Sequence, residues 1–351
     1  MKYSTGGMSI LKNSLPPGKL PYELLNRLLK QFHPSKRDDR VVVGPQPGQD
    51  FTVLDFEDRF LVVKTNPITF ATDEIGFYAV VVNANDVALS GAQPRWFSVS
   101  VLLPEHQTDE ALCEKIFQDI AQECDRQKIR VIGGHTEITI GLPRPIIMGT
   151  MMGEVPKISL VTTHGAKPGD ILLLTKGIAI EGTSIIAREK ESVLRHNNIP
   201  EDIIQKGKDF LHSPGISIVK EALLLADSKD VHAMHGITEG GLSMGIVELA
   251  RNSRCGVEIA LSQIPILSPT QEFCTLFGLN PLQLIASGAL LAAVPPASVE
   301  KIIQLLQNHD IVTKKIGIFT NTPKKYVGIT AQGDKKSLSY SSTDEITKIF
   351  E

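Results

Sequence analysis

An amide and a carboxylate set side by side in an otherwise apolar helical stretch are the first residues here whose types suggest chemistry. In Asn83-Ala84-Asn85-Asp86-Val87-Ala88-Leu89-Ser90-Gly91-Ala92, the pair Asn85-Asp86 stands among Val, Ala and Leu. A buried carboxylate is paired, hydrogen-bonded or metal-bound. Asp86 is therefore either a ligand-binding acid or a helix-face residue capping a neighbouring loop. Three other segments offer oxygen ligands or glycines where loops are expected at strand ends: Gly48-Gln49-Asp50-Phe51, Lys64-Thr65-Asn66-Pro67 and Gly133-Gly134-His135-Thr136-Glu137. Oxygens converging from several loops suit Mg²⁺, which keeps waters alongside substrate phosphates. Paired glycines let a backbone approach a phosphate closely. Taken singly, each segment also reads as an ordinary turn.

Gly18-Lys19 precedes a helix and could hold phosphates, but Gly-x-x-x-x-Gly-Lys-Ser/Thr is absent, which excludes a Walker loop. Thr238-Glu239-Gly240-Gly241-Leu242 stands directly before a Gly- and Ala-rich helix. It is either an anion site built from free helix N–H groups or a simple N-cap by Thr238. The four cysteines (Cys113, Cys124, Cys255 and Cys274) form no Cys-x-x-Cys pair, so neither a zinc site nor a disulfide framework has support. Cys113 and Cys124 read as small core residues of an amphipathic helix.

The elements that must position these groups follow from length and patterning. A chain of 351 residues suggests about two domains. Its 42% hydrophobic and 21% charged content is ordinary globular usage. With 36 basic and 39 acidic residues the net charge is -3, and no run of like charges recommends a nucleic-acid surface. The start of the chain shows no apolar signal-peptide core. The stretch from Leu284 to Val294 is broken by Ser287-Gly288 and is too short to span a bilayer. A soluble, cytoplasmic protein is expected.

Helices are expected at about 21–32, 75–89, 109–128, 201–211, 215–227, 241–252, 268–277 and 297–308, with another after Lys176-Gly177. Strands are expected at 51–55, 59–64, 96–103, 130–132, 145–155, 170–175, 256–260, 287–294, 311–319 and 325–330. Lys157–Pro168 reads as a connector. This divides the chain into residues 1–156 and 157–351, each α+β.

The order of these segments resembles the AIR synthase-related (PurM-like) superfamily. Its members include thiamine-monophosphate kinase, selenophosphate synthetase and HypE-type hydrogenase maturation factors. The matching segments, in family order, are Gly18-Lys19, Gln49-Asp50, Thr65-Asn66, Asn85-Asp86 with Ser90-Gly91-Ala92, and Gly133-Gly134-His135-Thr136. Lys167-Pro168-Gly169-Asp170, Thr238-Glu239-Gly240-Gly241-Leu242 and Ser287-Gly288-Ala289-Leu290-Leu291 follow. The resemblance covers about residues 15 to 330 and is closest to the HypE type.

It implies an N-terminal domain whose sheet pairs into a barrel across a homodimer, with a C-terminal α+β domain behind it. It also implies ATP and Mg²⁺ in the cleft. Asp50, Asn66, Asp86 and Glu137 would face metal. Gly18, Lys19, Thr65, Asn85, Gly133, Gly134, Thr136, Gly240 and Gly241 would face nucleotide. No catalytic residue is assigned.

Two departures concern the acidic pattern. Thr65-Asn66 stands where many members have Thr-Asp, which removes one charge. His135, a poor Mg²⁺ ligand, stands where kinase-like members have Asp, leaving Glu137 as the substitute. A third concerns the cysteine on which HypE carries its carbamoyl group: this sequence closes Lys348-Ile349-Phe350-Glu351 and its last cysteine is Cys274. A HypE-like fold without that self-modification is expected. No Cys lies near Gly18-Lys19, which argues against selenophosphate synthesis.

The function implied is ATP- and Mg²⁺-dependent phosphorylation of an amide- or carbonyl-type oxygen on a small substrate, with a protein partner if the chain is a maturation factor. The alternatives are a non-catalytic nucleotide sensor or assembly partner, and a kinase resembling thiamine-monophosphate kinase. Neither a nucleic acid nor a membrane is expected as partner. If Mg²⁺ with ATP is the partner of Asp86, Asp86→Asn should abolish nucleotide binding and leave the apo fold intact.

Overall fold

The stretch Ile75–Ala88 is apolar on every side, and a helix of that kind stays in solution only when it is covered all round. All of it is buried in the computed structural model, which describes residues 15, 19–32, 38–71, 73–338 and 343–350. Around this helix the first half is laid out as α1 (Tyr22–Leu29), β1 (Val41–Val43), β2 (Thr52–Phe56), β3 (Arg59–Ile68), α2 (Ile75–Ala88), β4 (Gln93–Pro104), α3 (Glu110–Arg126), β5 (Arg130–Thr139) and β6 (Ile146–Pro156). Asp109 starts α3 by accepting a hydrogen bond from the Leu112 N–H at 2.8 Å. That satisfies one of the helix's open donors.

The strands form a sheet ordered β1-β2-β3-β6-β4-β5, antiparallel except where β5 runs parallel to β4. Helices α2 and α3 pack together, and α2 lies on the sheet. At Gly149 an added Cβ would lie 2.6 Å from the Asn83 amide. Glycine there lets α2 approach the sheet closely enough for its polar residues to meet β3.

The second half contains β7 (Ile171–Thr175), α4 (Ile180–Glu189), α5 (Glu191–His196), α6 (Glu201–Asp209), α7 (Val219–Ser228), β8 (Ala233–Gly236), α8 (Gly241–Asn252) and β9 (Gly256–Ala260). It continues with α9 (Ser268–Phe277), β10 (Leu290–Val294), α10 (Val299–Gln307), β11 (Thr313–Thr320), β12 (Tyr326–Ile329) and β13 (Lys335–Ser337). Its sheet is ordered β13-β12-β9-β11-β7-β10-β8. The architecture is a two-part α+β fold with mixed sheets. One buried apolar cluster joins residues of both halves, such as Val80 with Ile216, and a second lies within the C-terminal half. No helix among the described residues is long and apolar enough to cross a membrane.

Two expected loops are strand. Gly133 to Glu137 continue β5, and Lys64 to Pro67 continue β3. At Gly134 a side chain would run into the Val99 carbonyl, so glycine here serves close strand approach and not a turn. Pro67 is tolerated within β3. The expected 287–294 strand begins only at Leu290, and β1, β8 and β13 are additional short strands.

Candidate functional site

A cleft of about 310 Å³ opens between the two halves, lined by Lys19, Asp50, Lys64, Asn66, Asp86 and Thr238 among others. Alternate residues of β3 point to opposite faces. Lys64 and Asn66 share the inward face and meet Asp86 on α2. Lys64 Nζ lies 3.0 Å from Asp86 Oδ2, and Asn66 Nδ2 donates to the same oxygen at 2.9 Å. The Asn66 backbone N–H donates to Asn83 Oδ1 at 2.9 Å, which fixes strand against helix. Burial works against the Lys64 ammonium, yet Asp86 and Asp50 hold its pKa above the usual lysine range.

Asp50 sits in the loop ahead of β2, beside His235 of β8. His235 Nδ1 is 2.7 Å from Asp50 Oδ2, and its Nε2 is 3.1 Å from Glu248 Oε2 on α8. Burial disfavours an imidazolium here, but the two carboxylates outweigh it and raise its pKa to about 10. Glu248 would be raised by burial, but Lys19, His235 and Lys64 hold it down at about 2. Lys19 Nζ lies 3.8 Å from both Glu248 and Glu239 and 3.5 Å from the Thr238 hydroxyl. Glu181, at the start of α4, also lines the cleft. Burial raises its pKa to about 7, although it accepts the Ser287 N–H at 3.1 Å.

Of the residues expected to meet nucleotide or metal, Lys19, Asp50, Asn66 and Asp86 come together in this cleft. Others do not, each for a visible reason. Thr65 points to the outer face of the sheet and shares a hydrogen bond with Thr150 at 2.9 Å. The Asn85 amide is used at both ends by backbone, donating to Ile216 O and accepting from Ile218 N–H, each at 2.8 Å. It ties α2 to the other half of the chain.

Gly133, Gly134, Thr136 and Glu137 lie on β5. The cross-strand row Asn66–Gly149–Val99–Gly134 puts β5 three strands from β3, about 14 Å away at the usual strand spacing. Within one chain Glu137 therefore does not join Asp50 and Asp86. Its neighbour is His135 Nε2 at 3.2 Å. Gly18 lies outside the described residues.

The start of α8 is already engaged. Gly240, at a φ of 79°, donates its N–H to the Asp344 carboxylate at 2.6 Å. Gly241 N–H goes to Thr238 O at 3.1 Å and Ser243 N–H to Leu282 O at 2.9 Å. Asp344 also accepts from Ile285 and Ile346, and burial lifts its pKa to about 6 against those three donors. In this structure the Gly240 N–H is thus taken by the Asp344 side chain and the Gly241 N–H by the Thr238 carbonyl.

His235, Glu248, Glu181 and Asp344 are not singled out by the sequence, and Lys64 enters it only within the Lys64-Thr65-Asn66-Pro67 segment. The available signal was His235 and Glu248 set among mostly apolar residues of the 233–249 stretch, and a Lys directly after the apolar run Phe60–Val63.

Mg²⁺ was expected here. Among the described residues no three His, Cys, Asp or Glu side chains are grouped to hold a metal ion. Asp50 and Asp86 are each already against a cationic group. The donor set fits the ion that a nucleotide brings with its phosphates, for which one or two carboxylates suffice. It does not fit a metal cluster held by the protein alone.

Residues 48–155 match the family model of the AIR synthase related protein N-terminal domain, and residues 167–330 match that of its C-terminal domain. A putative hydrogenase expression/formation protein of Methanocaldococcus jannaschii is 27% identical over 292 residues, covering 82% of this chain and 83% of the relative. Carbamoyl dehydratase HypE of Azotobacter vinelandii is 27% identical over 311 residues, covering 88% and 84%. The crystal structure of HypE in complex with ATP superposes with a TM-score of 0.69 at 20% identity over 92% of each chain. A ThiL structure with AMPPCP and TMP gives 0.68 at 18% identity over 91% and 95%.

Proposed function

The chain belongs to the AIR synthase-related family, and on that premise we propose that it is an ATP-dependent enzyme that activates an amide- or carbonyl-type oxygen of its substrate by phosphorylation. The observation that carries this reading is the cleft itself, in which Lys19, Lys64 and Thr238 stand beside Asp50 and Asp86. Phosphoryl transfer asks a protein mainly for positioning and charge neutralisation, and ammonium groups next to carboxylates supply both. On this reading Lys19 would meet phosphate oxygens, and Asp50 and Asp86 would face the Mg²⁺ that accompanies ATP. That ion would neutralise phosphate charge. His235 holds Asp50 in orientation, and Asn66 does the same for Asp86. Glu181, with a pKa of about 7, can accept or return a proton near neutrality.

Relatives named carbamoyl dehydratase support an amide oxygen as the target. The working form is proposed as a homodimer joined through the outer face of the first sheet, with one domain ending near residue 156. Exposed Phe56, Ile132 and Met148 on that sheet support it. No membrane or nucleic-acid partner is proposed, and the cytoplasm is the proposed compartment.

The test is phosphate release from ATP with and without primary amides and carbamoyl compounds. Amide-stimulated release supports the enzyme. Nucleotide binding without turnover on any of them favours the non-catalytic sensor, a reading that the internally paired charges of Asp50 and Asp86 favour.

A further inference from the structure

Asp50, Asp86 and Glu248 in the cleft each face one of the protein's own cations, and the arrangement around Asp86 is specific. Two donors, Lys64 Nζ and Asn66 Nδ2, converge on one oxygen, Asp86 Oδ2. A carboxylate only accepts hydrogen bonds, so Asn66 must turn its NH₂ toward it and its carbonyl oxygen elsewhere. Asn66 and Asp86 therefore do not aim oxygens at a common ion. Lys64 is held on the inward face of β3 by pairing with Met151 of β6, and its ammonium is delivered to the carboxylate from a mostly buried stem. A neutral amide at position 66 and an ammonium at position 64 thus occupy the side of Asp86 that faces β3.

We propose that Lys64 is a built-in counter-ion standing against Asp86 in the place of a protein-held divalent metal, so that this cleft binds one metal ion fewer. The proposal rests on reading the cleft as the family's nucleotide site. An ammonium cannot bridge several phosphate oxygens with the fixed geometry of a metal. The nucleotide's own Mg²⁺ would supply the remaining charge neutralisation.

The experiment measures Mn²⁺ binding without nucleotide, by electron paramagnetic resonance of the free ion, on the full chain and on Lys64→Gln, Lys64→Arg and Asn66→Asp. The wild type and Lys64→Arg are expected to show no site tighter than millimolar. Lys64→Gln should gain one micromolar-range site per chain, and its lowered Tm should recover when Mn²⁺ is added. Asn66→Asp, which keeps the lysine, should gain none. A micromolar Mn²⁺ site in the wild type overturns the proposal. So does a folded Lys64→Gln that binds no Mn²⁺, or a site created by Asn66→Asp alone. If Lys64→Gln is unfolded with and without Mn²⁺, the wild-type and Asn66→Asp titrations still decide. ATP titrations on the same proteins separate the two readings. ATP binding to none of them, with the Mn²⁺ pattern as expected, refutes the nucleotide reading and leaves the counter-ion assignment standing.

Discussion

His235 is the residue on which the charge balance of the cleft turns, because it touches two carboxylates from opposite sides of its ring while almost wholly buried. Removing one partner of a buried ion pair leaves the other uncompensated, at a cost of about 3–5 kcal/mol. His235→Gln should lower stability by that order in urea unfolding. The pH dependence has a definite sign. The imidazolium is raised from 6.5 to about 10 by Asp50 and Glu248 in spite of burial. Its contribution is therefore complete below about 6.5 and is lost as pH rises toward 10. Wild-type unfolding free energy should fall across that window, and the His235→Gln profile should lose this slope. A wild-type curve flat from pH 6.5 to 10 would show the ring to be neutral. The same reasoning revises the expectation for Asp86→Asn. Lys64 is its partner in the free protein, so the substitution destabilises the apo form and does not leave it intact.

At the scale of elements, the C-terminal segment acts as a clasp. Asp344 accepts from Gly240 at the head of α8 and from Ile285, while Phe350 stacks on Phe70, a lining residue of the cleft, with ring centroids 6.4 Å apart. Asp344→Ala leaves these buried N–H groups without an acceptor, which costs about 1–3 kcal/mol per unmet group. The expected result is a lower Tm by calorimetry, with Asp344→Asn, which keeps an acceptor oxygen, losing less. Equal losses would assign the effect to charge and not to hydrogen bonding.

The elements also show what the sequence makes readable. Asp86 and α2 were legible because a carboxylate in an all-apolar helix contradicts its surroundings. Asp50 was legible from its place between a glycine turn and a strand. His235 was not, since four residues of β8 are too few to show a period of two. Gly133-Gly134 misled because glycines signal turns, whereas here they lie in a strand that crosses close to its neighbour. Gly240-Gly241 reads in the sequence as open to an anion because Asp344, about a hundred residues later, cannot be seen there to accept the Gly240 N–H.

At the scale of the molecule, the outer face of the first sheet carries exposed Phe56 and Ile132 around a hollow shared with Trp96 and Met152, and β5 ends the sheet as an exposed strand. An apolar sheet face of this kind marks an association surface. If the proposed homodimer forms through this face, Trp96→Glu is expected to convert it to a monomer in analytical ultracentrifugation. A wild type that is monomeric at all concentrations would refute the association. The function proposed for the chain requires the cleft between the two halves to be a nucleotide site. The most direct measurement is calorimetric titration of a non-hydrolysable ATP analogue with Mg²⁺ into the full chain, run beside Lys19→Ala. Saturable binding of one analogue per chain is predicted, weakened about tenfold or more by the loss of the ammonium, equivalent to about 1.4 kcal/mol. No binding heat at millimolar analogue, or equal affinity in Lys19→Ala, would contradict it.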